Sequence, residues 1–328
     1  MSQDQRRLEA EISRRTRRSL LTGAAALAAA AVGLRLWNRG PKIGGMYPTL
    51  RAAEEFNSAI CKRLIGKSAL APTYPTTSAV KKPFPNGPLG LRMDLDPTSW
   101  RLQLTGLHQP QEQAAFVPDV ASWQYRYQPS FTQQASQTDS KFDAKPLDLT
   151  GAMTEDNVKL SSIGNGPAKG GQNANLQPPP PRPSGPGLLL TMAEMKRLPF
   201  VEQTTEFKCV EGWSQIVTYG GVRFRDFLEA YPPLRNATGS LPRYAALATP
   251  DGSYYCGFEI ADLLHPQSLL CFQMSQQDLT PAHGAPLRLA MPLKYGYKQI
   301  KQIASITYTD TKPGDYWGSH SYDWDGGL

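Results

Sequence analysis

Three stretches of the chain carry residue types that could do chemistry. In the first, Lys208-Cys209-Val210-Glu211-Gly212-Trp213-Ser214, a cysteine closes an apolar-alternating segment two residues before a carboxylate. A thiolate is a soft anionic ligand, and a nearby carboxylate could carry a proton for it. Taken alone, a cysteine in such a place is commonly a small buried hydrophobe. The second stretch, His283-Gly284-Ala285-Pro286-Leu287-Arg288, is a tight turn feeding an apolar segment. The third, Lys294-Tyr295-Gly296-Tyr297-Lys298-Gln299-Ile300-Lys301, sets three lysines around a glycine. Such a loop could converge backbone N–H groups and point charges on a phosphate, or be a solvated basic hairpin.

Other chemistries are excluded by what surrounds these stretches. Gly212-Trp213-Ser214-Gln215-Ile216 lacks the second glycine of a nucleophile elbow. The four histidines, His108, His265, His283 and His320, are scattered without zinc spacing, and no C-x-x-C-H haem site occurs. Gly164 to Gly170 looks superficially like a phosphate loop, but it follows no strand and contains Pro167. Of the four cysteines, Cys256 and Cys271 could pair in an oxidising compartment, which the sequence leaves open.

Taken together and in order, C-V-E-G-W-S at 209–214, His265-Pro266, H-G-A-P-L-R at 283–288 and K-Y-G-Y-K-x-I-K at 294–301 resemble the sulfite oxidase-type molybdopterin enzymes. Within that family the run is most similar to the periplasmic protein-methionine-sulfoxide reductase catalytic subunits. The resemblance covers about Trp100–Gly106 and Leu190–Thr309. It implies an α+β fold of mixed sheets and short helices, and one molybdenum-molybdopterin per chain. It makes Cys209 the metal ligand and Glu211 a proton relay on the metal's open side. Lys298, Lys301 and the backbone of Gln299 and Ile300 would hold the pterin phosphate. Arg288 would support the same cofactor, His283 would pin its turn, and Asn57 would stand for the family's amino-terminal cofactor-binding asparagine. The implied reaction is oxygen-atom transfer, reducing an oxidised protein or a small S-oxide. Electrons would come from a membrane haem-containing subunit, since the chain has no haem motif. Val210, Glu211 and Gly212 stand where sulfite-oxidising members carry anion-binding residues. A sulfite dehydrogenase-like or electron-transfer molybdoprotein, or a non-catalytic module with the same fold, are the alternatives.

The elements that must position these stretches are spread over 328 residues, with 40% hydrophobic and 19% charged, enough for a sizeable core. The formal charge is +7, but residues 1–40 hold eight Lys/Arg against three acids, leaving 27 against 25 beyond them. That near-balance argues against nucleic acid as a partner. The basic residues precede an alanine-rich run ending near Leu34, shorter than the roughly 20 residues of a membrane span. Thr16-Arg17-Arg18-Ser19-Leu20-Leu21 resembles a twin-arginine export signal, and no clear A-x-A cleavage site follows the apolar run. Residues 1–40 are therefore read as a periplasmic export signal, or a membrane tether if uncleaved. Residues 41–107 and 188–328 form the catalytic domain. Residues 108–187 form a Pro/Gly/Gln-rich, largely irregular insert, because composition shifts to Gln, Ser, Asp, Gly and Pro. Apolar spacing predicts a helix within 46–70, a strand at Trp100–Thr105, and short helices at Met192–Leu198, Phe224–Ala230 and before His265. Strands are predicted at Glu206–Val210, Tyr244–Leu247, Tyr254–Phe258, Leu287–Met291 and Ile303–Tyr308.

Overall fold

The computed structural model describes residues 3–40, 42, 46–65, 69–128 and 182–327. Helix α1 (Gln3–Trp37) is followed by α2 (Pro48–Ile65). Two sheets follow. The six-stranded sheet runs, in spatial order, β2 (Phe116–Val117), β3 (Gly187–Leu190), β1 (Leu102–Thr105), β11 (Ser305–Thr309), β6 (Tyr244–Ala248) and β7 (Tyr255–Glu259). The second sheet runs β10 (Arg288–Ala290), β8 (Leu269–Met274), β5 (Ser214–Arg223) and β4 (Phe200–Lys208), with β9 (Gln277–Asp278) paired to β8. Only β1 and β11 pair in parallel among the described strands. Mixed sheets with helices of four to seven residues between strands make this an α+β fold.

The main core fills the space between the sheets, from Leu102 and Leu104 on β1 through Leu247 and Ile306 to Leu270 and Leu289. A second cluster on the other face of the five-stranded sheet holds Phe207, Val217, Tyr219 and Cys271. Cys209 belongs to this second cluster, at the end of β4. Cys256 and Cys271 lie on β7 and β8, in different sheets, and all four cysteines are free thiols, so the pairing left open above does not form.

The short helix Phe224–Ala230 and strands β6, β7, β10 and β11 fall where the spacing places them, within two residues. β4 is longer than expected, because all nine residues pair with β5, from Phe200 opposite Val222 to Lys208 opposite Ser214. Its alternation is hidden by polar residues, with Thr204 and Thr205 buried in mid-strand. β5 and β8 were not expected at all. Gly220-Gly221 reads locally as a break, yet the register shifts there and a Cβ on Gly221 would lie 2.1 Å from the Leu270 carbonyl oxygen. Glycine is what allows the bulged strand to pass so close to β8.

Two boundaries also move. Residues 108–128 and 182–187 are built into the fold, since β2 pairs with β3 and Val120 is fully buried. The remainder of the proposed insert, with the Gly164–Gly170 stretch, lies outside the described residues. The apolar part of α1 extends past Leu34: Ser19–Trp37 spans 19 residues with a mean hydropathy of 1.6, long and apolar enough to cross a membrane.

Candidate molybdopterin site

Cys209 immediately follows β4, and its backbone turns back on itself. The Cys209 N–H donates to the Trp213 carbonyl at 2.9 Å, and Gly212 N–H returns to the Cys209 carbonyl at 3.1 Å. Gly212 takes φ +90° to make this turn, a conformation that favours glycine. Trp213 stacks on Phe207 (5.6 Å between centroids), meets the edge of Phe84 (5.2 Å) and donates from Nε1 to Glu211 Oε2 at 3.2 Å. The tryptophan thus fixes both the strand end and the carboxylate. Glu211 Oε2 and Asn86 Oδ1 each stand 3.7 Å from Cys209 Sγ. Burial, with the Glu211 charge adding to it, pushes the thiol pKa up, so the free protein holds Cys209 protonated.

The sulfur opens on a cavity of about 180 Å³, whose walls include Asn86, Gly87, Tyr254, Arg288, Gln299 and Lys301. Trp317 and Tyr322, with ring centroids 4.8 Å apart, close another side. Lys301 Nζ donates to the Gly87 and Ala282 carbonyls. Its β-carbon passes close above Gly284, where an added Cβ would lie 2.6 Å away and φ is +95°. Arg288 Nη1 donates to the His283 carbonyl at 3.2 Å, while its Nε is buried without a partner. The guanidinium lies 5.3 Å from the Tyr219 ring centroid.

The two cations are mutually unfavourable. Burial, and then the Arg288 charge, lower the Lys301 pKa to about 7. Burial followed by Arg288 and Lys301 lowers His283 to about 4. No carboxylate contacts Arg288 or Lys301 among the described ion pairs. A buried arginine cannot shed its charge, so its unsatisfied Nε and the strained ammonium beside it call for an anion. A soft thiol and two buried cations lining one cavity fit a molybdenum-pterin with its phosphate.

The expected residues divide. Cys209, Glu211, Arg288, Gln299 and Lys301 line this one cavity. Lys298 does not reach it. Its ammonium is fully buried and spends its three protons on Gly257 O (2.7 Å), Trp324 O (2.8 Å) and Asp315 Oδ2. With all three donors used, it cannot hold a phosphate. The Gln299 and Ile300 N–H groups are also taken, by Gly296 O and Lys298 O at 3.0 Å each, and the Ile300 side chain lies in the main core. The backbone role expected of these two residues is therefore closed. His283 acts through its carbonyl on Arg288. His265, between the Ala69 carbonyl and the Gln267 N–H, braces a loop away from the cavity. Asn57 is exposed on α2 and Asn86 takes the place beside the sulfur, so the asparagine expectation is corrected. Asn86-Gly87 carried only a turn signal, and Tyr254, Trp317 and Tyr322 had no motif to mark them.

A family model described as "Oxidoreductase molybdopterin binding domain" matches residues 185–317. A protein of Azospira oryzae provisionally named protein-methionine-sulfoxide reductase subunit YedZ1 is 38% identical over 42% of this chain and 50% of its own length. The protein-methionine-sulfoxide reductase catalytic subunits MsrP of Campylobacter jejuni and Xanthomonas campestris are 34% and 30% identical, over 41% and 46% of this chain and 49% and 51% of theirs. The chain thus spans about half the length of the curated relatives it matches. The sulfane dehydrogenase SoxCD of Paracoccus pantotrophus superposes with a TM-score of 0.33 at 18% identity, over 38% of this chain and 36% of that one. The matched residues 185–317 supply Cys209, Glu211, Arg288 and Lys301 to the cavity. Asn86, Gly87 and Tyr322 come from outside those limits.

Proposed function

We propose that the chain is the catalytic part of a molybdenum-dependent oxidoreductase that reduces S-oxides such as protein methionine sulfoxide. Electrons would come from a membrane haem-containing subunit, at a periplasmic location reached by the twin-arginine route. The observation that carries this reading is that the Cys209 sulfur shares a cavity with two buried cations, Arg288 and Lys301, that have no carboxylate partner among the described ion pairs.

Molybdenum on its pterin, when bound, supplies oxygen-atom-transfer chemistry. Cys209 would give its thiolate to the metal, one per chain, releasing the proton that burial holds on the free thiol. Arg288, through its unpaired Nε, and Lys301 would hold the phosphate end. That contact offsets the burial and the Arg288 charge that together lower the lysine pKa. Net reduction of an S-oxide consumes two electrons and two protons and yields a thioether and water. Glu211, exposed and 3.7 Å from the sulfur, is placed to pass those protons from solvent, while Trp213 keeps its Oε2 turned inward. Asn86 and the tilted Trp317–Tyr322 ring pair line the same cavity.

Replacing Cys209 with Ala and measuring molybdenum in the purified protein tests the reading. The metal should be lost while the far-ultraviolet circular dichroism is kept, and S-oxide reduction should fall at least a hundredfold. Undiminished metal and turnover would sink the ligand assignment. If sulfite reduces the metal and S-oxides fail to reoxidise it, the sulfite dehydrogenase-like alternative replaces this one.

A further inference from the structure

Helix α1 carries a long apolar surface that the described chain leaves bare. None of the window Ser19–Trp37 is buried against protein. Leu20, Leu27 and Leu34 share one face, and Leu21, Val32 and Leu36 project a quarter to nearly half a turn away, at about 100° per residue. All six are more than half exposed, from 52% at Leu34 to 74% at Leu27. A helix that meets a protein partner shows a stripe, whereas one apolar all round suits a surrounding apolar medium. The 19 residues span about 28 Å at 1.5 Å each, close to the roughly 30 Å hydrocarbon core of a bilayer. Thr22 Oγ donates to the Ser19 carbonyl at 3.1 Å, so its hydroxyl proton is satisfied within the helix. The ends are marked as well. Arg14, Arg15, Arg17 and Arg18 precede the apolar window, and Arg35, Trp37 and Arg39 stand at its far end. The larger basic group first sets the amino terminus in the cytoplasm, and the tryptophan suits the opposite interface.

The chain leaving this helix is tied to the catalytic body. Asn38 Oδ1 accepts from the Thr49 N–H at 3.3 Å and hydroxyl at 2.7 Å, fastening the end of α1 to the start of α2. Two residues on, Arg51 Nη2 donates to the Gly318 carbonyl at 3.2 Å, and Ser58 Oγ donates to Asp323 Oδ2 at 3.1 Å. Their neighbours in sequence, Trp317 and Tyr322, line the Cys209 cavity. A short series of direct contacts therefore leads from the end of the apolar helix to the cavity wall. Leu36-Trp37-Asn38-Arg39-Gly40, just past the apolar run, offers no pair of small residues for a signal peptidase, and the pairs that do occur, such as Ala29 with Ala31, lie inside the helical window itself.

We propose that α1 is a retained bilayer anchor, not a discarded leader, and that α2 is the strut holding the Cys209 cavity next to the membrane surface. The partner is lipid, and the placement is independent of which substrate the site reduces.

The test uses full-length protein produced in a bacterium that exports it. After alkaline carbonate washing, the wild type should stay with the membranes, dissolve only in detergent, and show an intact mass that includes residues 19–37. A chain lacking residues 1–37, or one released by carbonate, overturns the anchor. The double variant Leu36→Ala with Asn38→Ala places small residues at the third and first positions before Arg39. It should appear cleaved and soluble in the periplasm, and a wild type as soluble as this variant also overturns the proposal. Cys61 on α2 is the exposed one of the four free thiols. A fluorophore attached to it, in protein reconstituted into phosphatidylglycerol–phosphatidylethanolamine vesicles, should transfer energy strongly to headgroup acceptors. Background transfer there overturns the strut.

Discussion

Lys298 and Lys301 are three residues apart on one loop, yet they meet opposite surroundings. Around Lys298 every charge is answered. Its ammonium meets the Asp315 carboxylate and two carbonyls between the Phe258 and Trp324 rings, whose centroids are 4.7 and 5.0 Å away. Asp315 is answered in turn by the Gly257 and Gly318 N–H groups. Around Lys301 the neighbouring charge is Arg288, of the same sign, and the arginine keeps an orphaned donor. The first region is complete without a ligand and knits the carboxyl-terminal segment onto the sheet. The second is incomplete without one. A cation paired with a carboxylate supports the structure, whereas Arg288 with its orphaned Nε and Lys301 beside it are the residues proposed to take an anion.

The comparison breaks most visibly at the saturated node. Removing one member of a buried pair strands the other, at about 3–5 kcal/mol. Lys298→Met or Asp315→Asn should therefore lower urea-unfolding stability by about that amount, and Lys298→Met with Asp315→Leu should recover part of the loss. A single substitution that costs under about 1 kcal/mol would show that the node does not carry the fold.

Lys301→Met should act in the opposite sense on the metal-free protein. The folded-state pKa of Lys301 is about 7 against an ordinary 10.5, so the unfolded chain binds more protons between those values. Stability should then rise with pH across that window, and the penalty is full below about pH 7. The Met variant should be more stable than wild type at pH 7 and match it more closely at pH 10. It should also retain less molybdenum, as metal analysis would show. A metal-free Lys301→Met protein less stable than wild type at pH 7 contradicts the unsaturated reading.

The smallest effect separates the two asparagines. Asn86→Ala removes an amide 3.7 Å from Cys209 Sγ and should reduce bound molybdenum several-fold. Asn57→Ala, on the exposed face of α2, should leave metal content and turnover within error of wild type. Equal losses from both would restore the expectation that the structure corrects.

These contrasts also show how far a sequence reaches. Local patterns placed Phe224–Ala230 as a helix and β6, β7, β10 and β11 as strands, because their apolar periodicity and bounding prolines or glycines act within a few residues. The Cys209, Arg288 and Lys301 motifs were visible because their residue types are uncommon in those surroundings and keep a fixed order. β5 and β8 were invisible because a strand interrupted by Gly220-Gly221, or made of a continuous apolar run such as Leu269–Phe272, becomes a strand only against its partners. The fate of each lysine was equally hidden. Nothing in K-Y-G-Y-K-x-I-K distinguishes Lys298 from Lys301, since Asp315 and the Gly257 carbonyl that claim the first arrive from other segments of the chain.

By itself the sequence determined the chemistry on offer: one placed thiol, a basic loop, an arginine turn, and a basic segment ahead of an apolar run. Residue type and short-range spacing are enough for that. Only the tertiary structure decided which of those groups face one cavity, that Asn86 and not Asn57 stands beside the sulfur, and that the end of α1 is joined through α2 to the cavity wall. Each of those facts depends on distances between segments far apart in the chain, and long-range packing alone sets them.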